Sequence, residues 1–430
     1  MRRFLSVLAA LAVATVALAE DAVPRKTLAE CIEIALRQQP TLKAAGATVA
    51  AGRERVWETT AAYLPQVNGS YQANRRHASQ SSLTGGNVRG RSATFDFYTT
   101  GVALSQVLFD FGQNLSLIHA AQASADALAA DEQTQHDVVV FNVQQAYFGL
   151  LAAYRLRDVA EQTVAQNEKH LQLAQGRFDV GLAPRFDVTH AQVQLASAEL
   201  ARVTARNNVA LGRETLRDAL GLMGPLDFDI VDSLEEPRVQ VSDTEALDLA
   251  YANRPELRSL VAQERADSER VSAIEKDYLP HVTGNGAYNW SGSQYPLQQN
   301  WSFGATANLS IFNGGLTRAQ IGEARANLDN LRFTEDAERQ TVQLEVRQAV
   351  LNLGQAAESI VVADKGLQSA REDLMLADGR YATGVGTIIE LADAQQAQAS
   401  AEASRVQALS NYRVALASLE RATAHRFATD

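Results

Sequence analysis

The chain has 430 residues, 46% hydrophobic and 21% charged, with nine prolines; this is the balance of a folded protein and excludes a disordered chain or a bundle of apolar spanning helices. Acidic residues outnumber basic ones 50 to 39, a net charge of −11 that argues against nucleic acid as a partner. One cysteine and seven scattered histidines exclude a disulfide framework, a cysteine-based zinc cluster and any close-spaced histidine ligand set.

Residues 1–19 read as an export signal: Arg2 and Arg3 open it, an apolar run from Phe4 to Leu18 follows, and Ala17-Leu18-Ala19 supplies the small residues of a cleavage site. Glu20 and Asp21 end the run too soon for a membrane span. Leu28-Ala29-Glu30-Cys31 has a lipobox-like look but lies beyond Arg25-Lys26, so Cys31 is expected to be a small buried residue on a helix. The rest of the chain has no long apolar run, and any part that meets lipid must be β-structure or a surface.

An opening helix is expected from Thr27, its N-cap candidate, to Tyr63-Leu64-Pro65, where the proline stops it. Val67, Gly69, Tyr71 and Ala73 then alternate with Asn68, Ser70, Gln72 and Asn74, the period-two pattern of a strand. A hairpin is expected over about 66–109, with a Ser/Gly/Asn-rich loop from Ser79 to Ser92. No proline occurs from Gln66 to Ala183, and after Gly112 strong helix formers dominate. Residues 113–178 are expected to form one helix of roughly 66 residues, about 100 Å at 1.5 Å per residue. Such a helix needs lateral neighbours, so coiled-coil packing is expected. Gly181 suits its C-terminal cap, and a return helix is placed at about 187–222.

After a linker at 225–242 the plan repeats. Pro40, Leu42 and Tyr63-Leu64-Pro65 recur as Pro255, Leu257 and Tyr278-Leu279-Pro280 at an offset of 215, and Phe109, Arg177-Phe178 and Gly181 recur as Phe312, Arg380-Tyr381 and Gly384 at an offset of 203. The first structural repeat thus covers 20–224 and the second 243–430. In the second, Asp243 or Thr244 is the N-cap candidate; Trp301, Phe303, Ala305, Ala307 and Leu309 alternate with polar residues; Val282, Gly284, Gly286, Tyr288 and Trp290 do so more weakly. A hairpin is expected over about 281–312 with a loop from Ser291 to Gln299, a long helix over 316–381 and a return helix over 387–424.

Catalytic motifs are absent: no nucleophile elbow, phosphate loop, zinc-protease helix or dinucleotide fingerprint occurs, so the chain reads as a non-enzyme without a cofactor or metal. Most acids spread over helix faces. Glu390 and Asp393 stand apart, three residues apart on one face at the start of the last helix, with Arg185-Phe186-Asp187 as their counterpart in the first repeat. Acids there either complement the helix dipole or, in several copies, ring a pore.

The order of Thr27-Leu28 with Ile32, Pro40-x-Leu42, Tyr63-Leu64-Pro65-Gln66-Val67, Leu108-Phe109-Asp110-Phe111-Gly112, Arg177-Phe178-x-Val180-Gly181-Leu182 and the second copy resembles the TolC family of Gram-negative outer-membrane channel-tunnels, over essentially the whole chain beyond the signal. The resemblance implies a mainly α protein with a β-barrel part. Four strands per chain would join a shared 12-stranded transmembrane barrel in a homotrimer, and coiled-coil helices would form an α-barrel through the periplasm. It implies a passive exit duct of a tripartite system for type I protein secretion or small-molecule efflux, working with a periplasmic adaptor and an inner-membrane ABC or proton-driven pump. It places Glu390 and Asp393 in a periplasmic pore ring, and Asp187 and Tyr381 in an entrance lock. A lock arginine of the family falls on Gly386 here, leaving Arg185 or Arg380 as substitutes. The turns Val180-Gly181-Leu182 and Thr383-Gly384-Val385 match the adaptor-contact turns, although plain helix caps account for their glycines equally well. From the strand pattern, Tyr71, Tyr288, Trp290, Trp301 and Phe303 are expected to face lipid. The alternative is a periplasmic coiled-coil adaptor without a membrane barrel, but adaptors carry one helical hairpin and a lipoyl-like β-domain, whereas this chain has two helix pairs.

Overall fold

The computed structural model describes residues 24–78, 93–234, 239 and 241–427. The expected signal peptide and the Ser79–Ser92 loop lie outside the described residues. The chain divides into two compact units, one of Met1–Gln38, Val143–Glu236 and Lys365–Ser410, the other of Gln39–Asn142, Pro237–Asp364 and Asn411–Asp430.

The elements run in the order β1 (Arg25–Lys26), α1 (Leu28–Gln38), α2 (Pro40–Ala61), β2 (Gln66–Ala78), β3 (Ala93–Phe109), α3 (Gln113–Asp179), α4 (Arg185–Ala219), β4 (Asp229–Ile230), α5 (Asp243–Asn253), α6 (Pro255–Glu275), β5 (His281–Gly292), β6 (Gln298–Asn308), α7 (Leu316–Ala382) and α8 (Ile388–Thr423). Both long helices have 67 residues. The single opening helix expected in each repeat is instead two. Gln39 and Arg254 hold ψ of 119° and 123°, because the following Pro40 and Pro255 exclude the α region there. Thr27 caps α1 in a reciprocal box with Glu30. At α5 the cap is Ser242, whose hydroxyl accepts the Glu245 N–H at 3.3 Å, not Asp243 or Thr244.

In the first unit, Leu374, Ala377 and Tyr381 of α7 pack on Ile388, Leu391 and Ala394 of α8, while Ala174 and Leu171 of α3 meet Val188 and Ala191 of α4. Steps of three and four keep each set on one helix face, so each pair closes along an apolar seam. Cys31 is fully buried on α1, and burial pushes its thiol up to about 11. The linker is more structured than its sequence suggests. β1 and β4 pair in parallel, the Tyr147 hydroxyl donates to the Val231 carbonyl at 2.5 Å, and Arg213 donates to the carbonyls of Leu226 and Phe228 at 3.0 and 3.3 Å.

In the second unit the four long strands form one antiparallel sheet in the order β2-β3-β5-β6. Asp110 links sheet to helix, accepting the N–H groups of Gly112 and Asn114 at 3.0 and 2.8 Å and so capping α3. Lys276, at the end of α6, donates to the Gly112 carbonyl at 3.0 Å and the Ser116 hydroxyl at 2.8 Å. The second hairpin ends at Asn308, four residues short of the expected 312.

Candidate functional site

Two turns close the helix pairs of the first unit. At the first, Gly181 has φ 77°; its N–H donates to the Phe178 carbonyl and the Leu182 N–H to the Arg177 carbonyl, at 2.9 and 2.8 Å. At the second, Gly384 has φ 81°; its N–H donates to the Tyr381 carbonyl and the Val385 N–H to the Arg380 carbonyl, at 3.1 and 3.0 Å. Both are Schellman caps, which need glycine at the left-handed position. A cap does not require Val180, Leu182 and Val385 to stand in solvent, yet all three are strongly exposed, and Thr383 is exposed beside them.

Between the turns lies a cation that the sequence reading did not single out. Arg177 Nη1 donates to the Tyr381 carbonyl at 2.6 Å, and its guanidinium sits 4.9 Å from the centre of the Tyr381 ring. It therefore ties the end of α3 to the end of α7, two helices of different pairs. The repeated Arg-aromatic step (Arg177-Phe178, Arg380-Tyr381) was the available signal. Tyr381 is buried and its hydroxyl makes no hydrogen bond in the protomer; burial, reinforced by the nearby Asp187 carboxylate, pushes that hydroxyl above its ordinary range. The structure thus brings Asp187 and Tyr381 together. Of the two suggested substitutes for a loop arginine, Arg380 pairs with Glu390 at 3.6 Å, and Arg185 is exposed. Gly386 leaves no room for a side chain: a Cβ there would lie 2.9 Å from Arg380 Cβ and 3.0 Å from the Tyr381 nitrogen.

Glu390 and Asp393 occupy the first turns of α8 and both are exposed. Glu390 closes a capping box with Thr387: its N–H donates to Thr387 Oγ1 at 3.2 Å and its carboxylate accepts the Thr387 N–H at 3.4 Å. Glu390 therefore does serve the helix start, while Asp393 has no such bond.

The sheet of the second unit gives every long strand residue a face. The register aligns Tyr71, Thr100, Trp290 and Gln299 in one row, Gly69, Val102, Tyr288 and Trp301 in the next, and Val67, Leu104, Gly286 and Phe303 in a third. All five aromatic residues expected at lipid share this face, and Asn68, Ser70, Gln72, Asn285, Asn289 and Thr306 share the other. A second exposed apolar group stands at the strand–helix junctions, where Phe109 and Phe111 meet edge to face at 4.6 Å and Tyr63, Tyr278 and Phe312 are also exposed. Among the described residues no helix is long and apolar enough to cross a membrane, and no group of His, Cys, Asp and Glu is arranged to hold a metal.

A duplicated protomer with two long helix pairs and one open-edged, single-faced apolar sheet defines the class of outer-membrane channels. The model of the family described as "Outer membrane efflux protein" matches residues 31–222 and 246–425, and the chain belongs to that family. The alkaline protease secretion protein AprF of Pseudomonas aeruginosa is 28% identical over 387 residues, 86% of this chain and 78% of its own. Outer membrane protein TolC of Escherichia coli is 27% identical over 412 residues, 90% of this chain and 80% of its own. In fold, a solved membrane protein from Pseudomonas aeruginosa superposes with a TM-score of 0.82 at 24% identity, covering 92% of this chain and 93% of its own. The chain is an outer-membrane protein of the TolC type, and the adaptor alternative falls away because the family model spans both repeats.

Proposed function

We propose that this chain is the passive outer-membrane exit duct of a tripartite export system, for type I protein secretion or small-molecule efflux, and performs no chemistry of its own. Three copies contribute four strands each to a 12-stranded transmembrane barrel. Energy comes from an inner-membrane ABC or proton-driven pump through a periplasmic adaptor, which engages the exposed Val180-Gly181-Leu182 and Thr383-Gly384-Val385 turns. The observation that carries this reading is the sheet. Tyr71, Tyr288, Trp290, Trp301 and Phe303 share one face with Val67, Val102 and Leu104, Asn68, Ser70, Gln72, Asn285, Asn289 and Thr306 share the other, and β2 and β6 are open edges. Lipid forbids open edges, and closure with further copies removes them. Glu390 and Asp393 ring the periplasmic entrance, and Asp187, Tyr381 and Arg177 fasten it.

Outer-membrane extraction followed by planar-bilayer recording tests the reading. Detergent-dependent extraction and stepwise conductance are expected. Recovery in the soluble periplasmic fraction, with no conductance from the purified protein, would overturn it.

A further inference from the structure

We infer the residue-by-residue register with which β6 of one copy pairs with β2 of the next: antiparallel, with Gly304 opposite Asn74. The inference rests on the trimeric reading above and deepens it. The internal repeat supplies the register, because within the sheet it holds to the residue. β2 pairs with β3 as Gln66↔Ser105, and β5 with β6 as His281↔Asn308; these are the same pair under the offsets 215 and 203 that relate Tyr63 to Tyr278 and Phe109 to Phe312. β6 is thus the repeat equivalent of β3, and β2 of β5. The seam that closes inside the chain, β3 on β5, therefore has one equivalent that cannot close inside it, β6 on β2.

Three observations fit that seam. Gly101 lies opposite Asn289, so close that a Cβ on it would meet Asn289 and come within 2.6 Å of the Tyr288 carbonyl. Its equivalents are again a glycine and an asparagine, Gly304 and Asn74, yet Gly304 has open space around it. Next, Leu108, at the bulge of β3, covers Gly284 with Cδ1 3.2 Å from where a Cβ would sit. The equivalents are Ile311 and Gly69, and here Ile311 is 91% exposed while Gly69 has nothing near it. Finally, β3 continues to Phe109 because β5 partners its last residues, whereas β6 stops at Asn308 and leaves Phe312 86% exposed. In the assembly residues 309–312 extend β6 along the neighbour's β2. The transferred register also keeps both faces: Ala305 meets Ala73 and Ala307 meets Tyr71 on the aromatic face, while Thr306 meets Gln72 and Ser302 meets Arg76 on the polar one. Face assignment came from the two hairpins separately, and a register slipped by one residue would have failed it.

Cysteine pairs test the register, in a Cys31→Ser background. Directly opposed Cβ atoms lie about 4.5–5.5 Å apart and diagonal ones about 7–8 Å, and a disulfide needs about 3.5–4.5 Å. Gln72→Cys with Thr306→Cys, and Arg76→Cys with Ser302→Cys, are expected to give intermolecular disulfides under mild oxidation. The pairs slipped by two residues, Asn74→Cys with Thr306→Cys and Gln72→Cys with Asn308→Cys, are expected to give several-fold less. Oligomer mass in detergent is measured on the reduced samples. A trimer in which the slipped pairs link as well or better overturns the register and leaves the duct reading standing. A monomeric mass for the unsubstituted protein overturns that reading, and the register with it.

Discussion

Arg177 and Gly386 both pack against the end of α7. The arginine on α3 reaches the backbone and ring of Tyr381, and the glycine packs so tightly on the end of α7 that a longer residue has no place there. A hydrogen bond from a charged donor contributes about 1.5–3 kcal/mol. Arg177→Leu is therefore expected to loosen this junction and raise the single-channel conductance of the resting protein, while Arg177→Lys, which keeps a charge but not the planar fork, recovers only part. Equal conductance for the wild type and the leucine variant would show that the junction does not restrict flow. His170 on α3 responds to pH in a predictable direction. It is half-buried with an unpartnered Nδ1, and burial pushes its pKa below the ordinary value of about 6.5, aided by Lys169 and opposed by Asp378. Below 6.5 the unfolded chain takes up the proton more readily than the fold. The stability it contributes is thus present above that pH and is lost as pH falls towards the folded value. Melting temperature is expected to drop less between pH 7 and pH 5 in His170→Gln than in the wild type; identical slopes would exclude the residue as a contributor. Arg177 escaped the sequence reading because its partner is a main-chain carbonyl 204 residues away, which no spacing rule reports. Tyr381 and Asp187, by contrast, were singled out through the resemblance, and the structure places them beside each other.

At the level of single elements, the start of α8 separates two roles that the sequence left open. Glu390 belongs to a capping box, and glutamine serves that box as well as glutamate. Glu390→Gln with Asp393→Asn therefore removes two charges per chain while sparing the cap. If both acids face the lumen, their fields add in a confined space and draw cations. The double variant is expected to lose cation preference and block by multivalent cations, with trimer yield unchanged. An unchanged reversal potential would leave only the helix-capping role. On the sheet, Phe303→Arg or Ala305→Arg puts a charge on the aromatic face, at about 2–4 kcal/mol near a bilayer midplane; normal trimer yields would show that this face does not meet lipid. Long periodic elements were legible because their signal accumulates over many residues: the 67-residue helices and both hairpins follow from proline absence and strict alternation. The helix breaks at Pro40 and Pro255 were readable from the residue-before-proline rule and were overlooked, whereas the β1–β4 pair has only two residues per strand and no pattern to read. The end of β6 differs for another reason, since a strand extends only as far as it has a partner.

For the whole molecule, duplication leaves surfaces that are covered in one repeat and exposed in the other. On α7, Phe333, Leu344, Leu351, Val362 and Leu376 are all exposed, and their steps of 11, 7, 11 and 14 residues keep them within about 40° of one another at 100° per residue. Phe186, Val193, Leu200 and Leu211 make an equally narrow exposed stripe on α4. The repeat shows what such a stripe is for. Leu351 is the equivalent of Phe148 at the offset 203, but Phe148 is 2% exposed, covered within its own chain, and Leu351 is 70% exposed. A surface covered in the first repeat is thus bare in the second, and the proposed trimer assigns its cover to the next copy. Each leucine buried in such an assembly would contribute about 1.5–3 kcal/mol, so on the trimeric reading the stripes add to the β2 and β6 edges. Leu344→Glu with Leu351→Glu is expected to lower the melting temperature of the trimer strongly and to release chains that neither persist as folded monomers nor conduct. A double variant that forms trimers of wild-type melting temperature would show that the stripe faces solvent, and a monodisperse folded monomer in mild detergent would show that the protomer needs no partner at all.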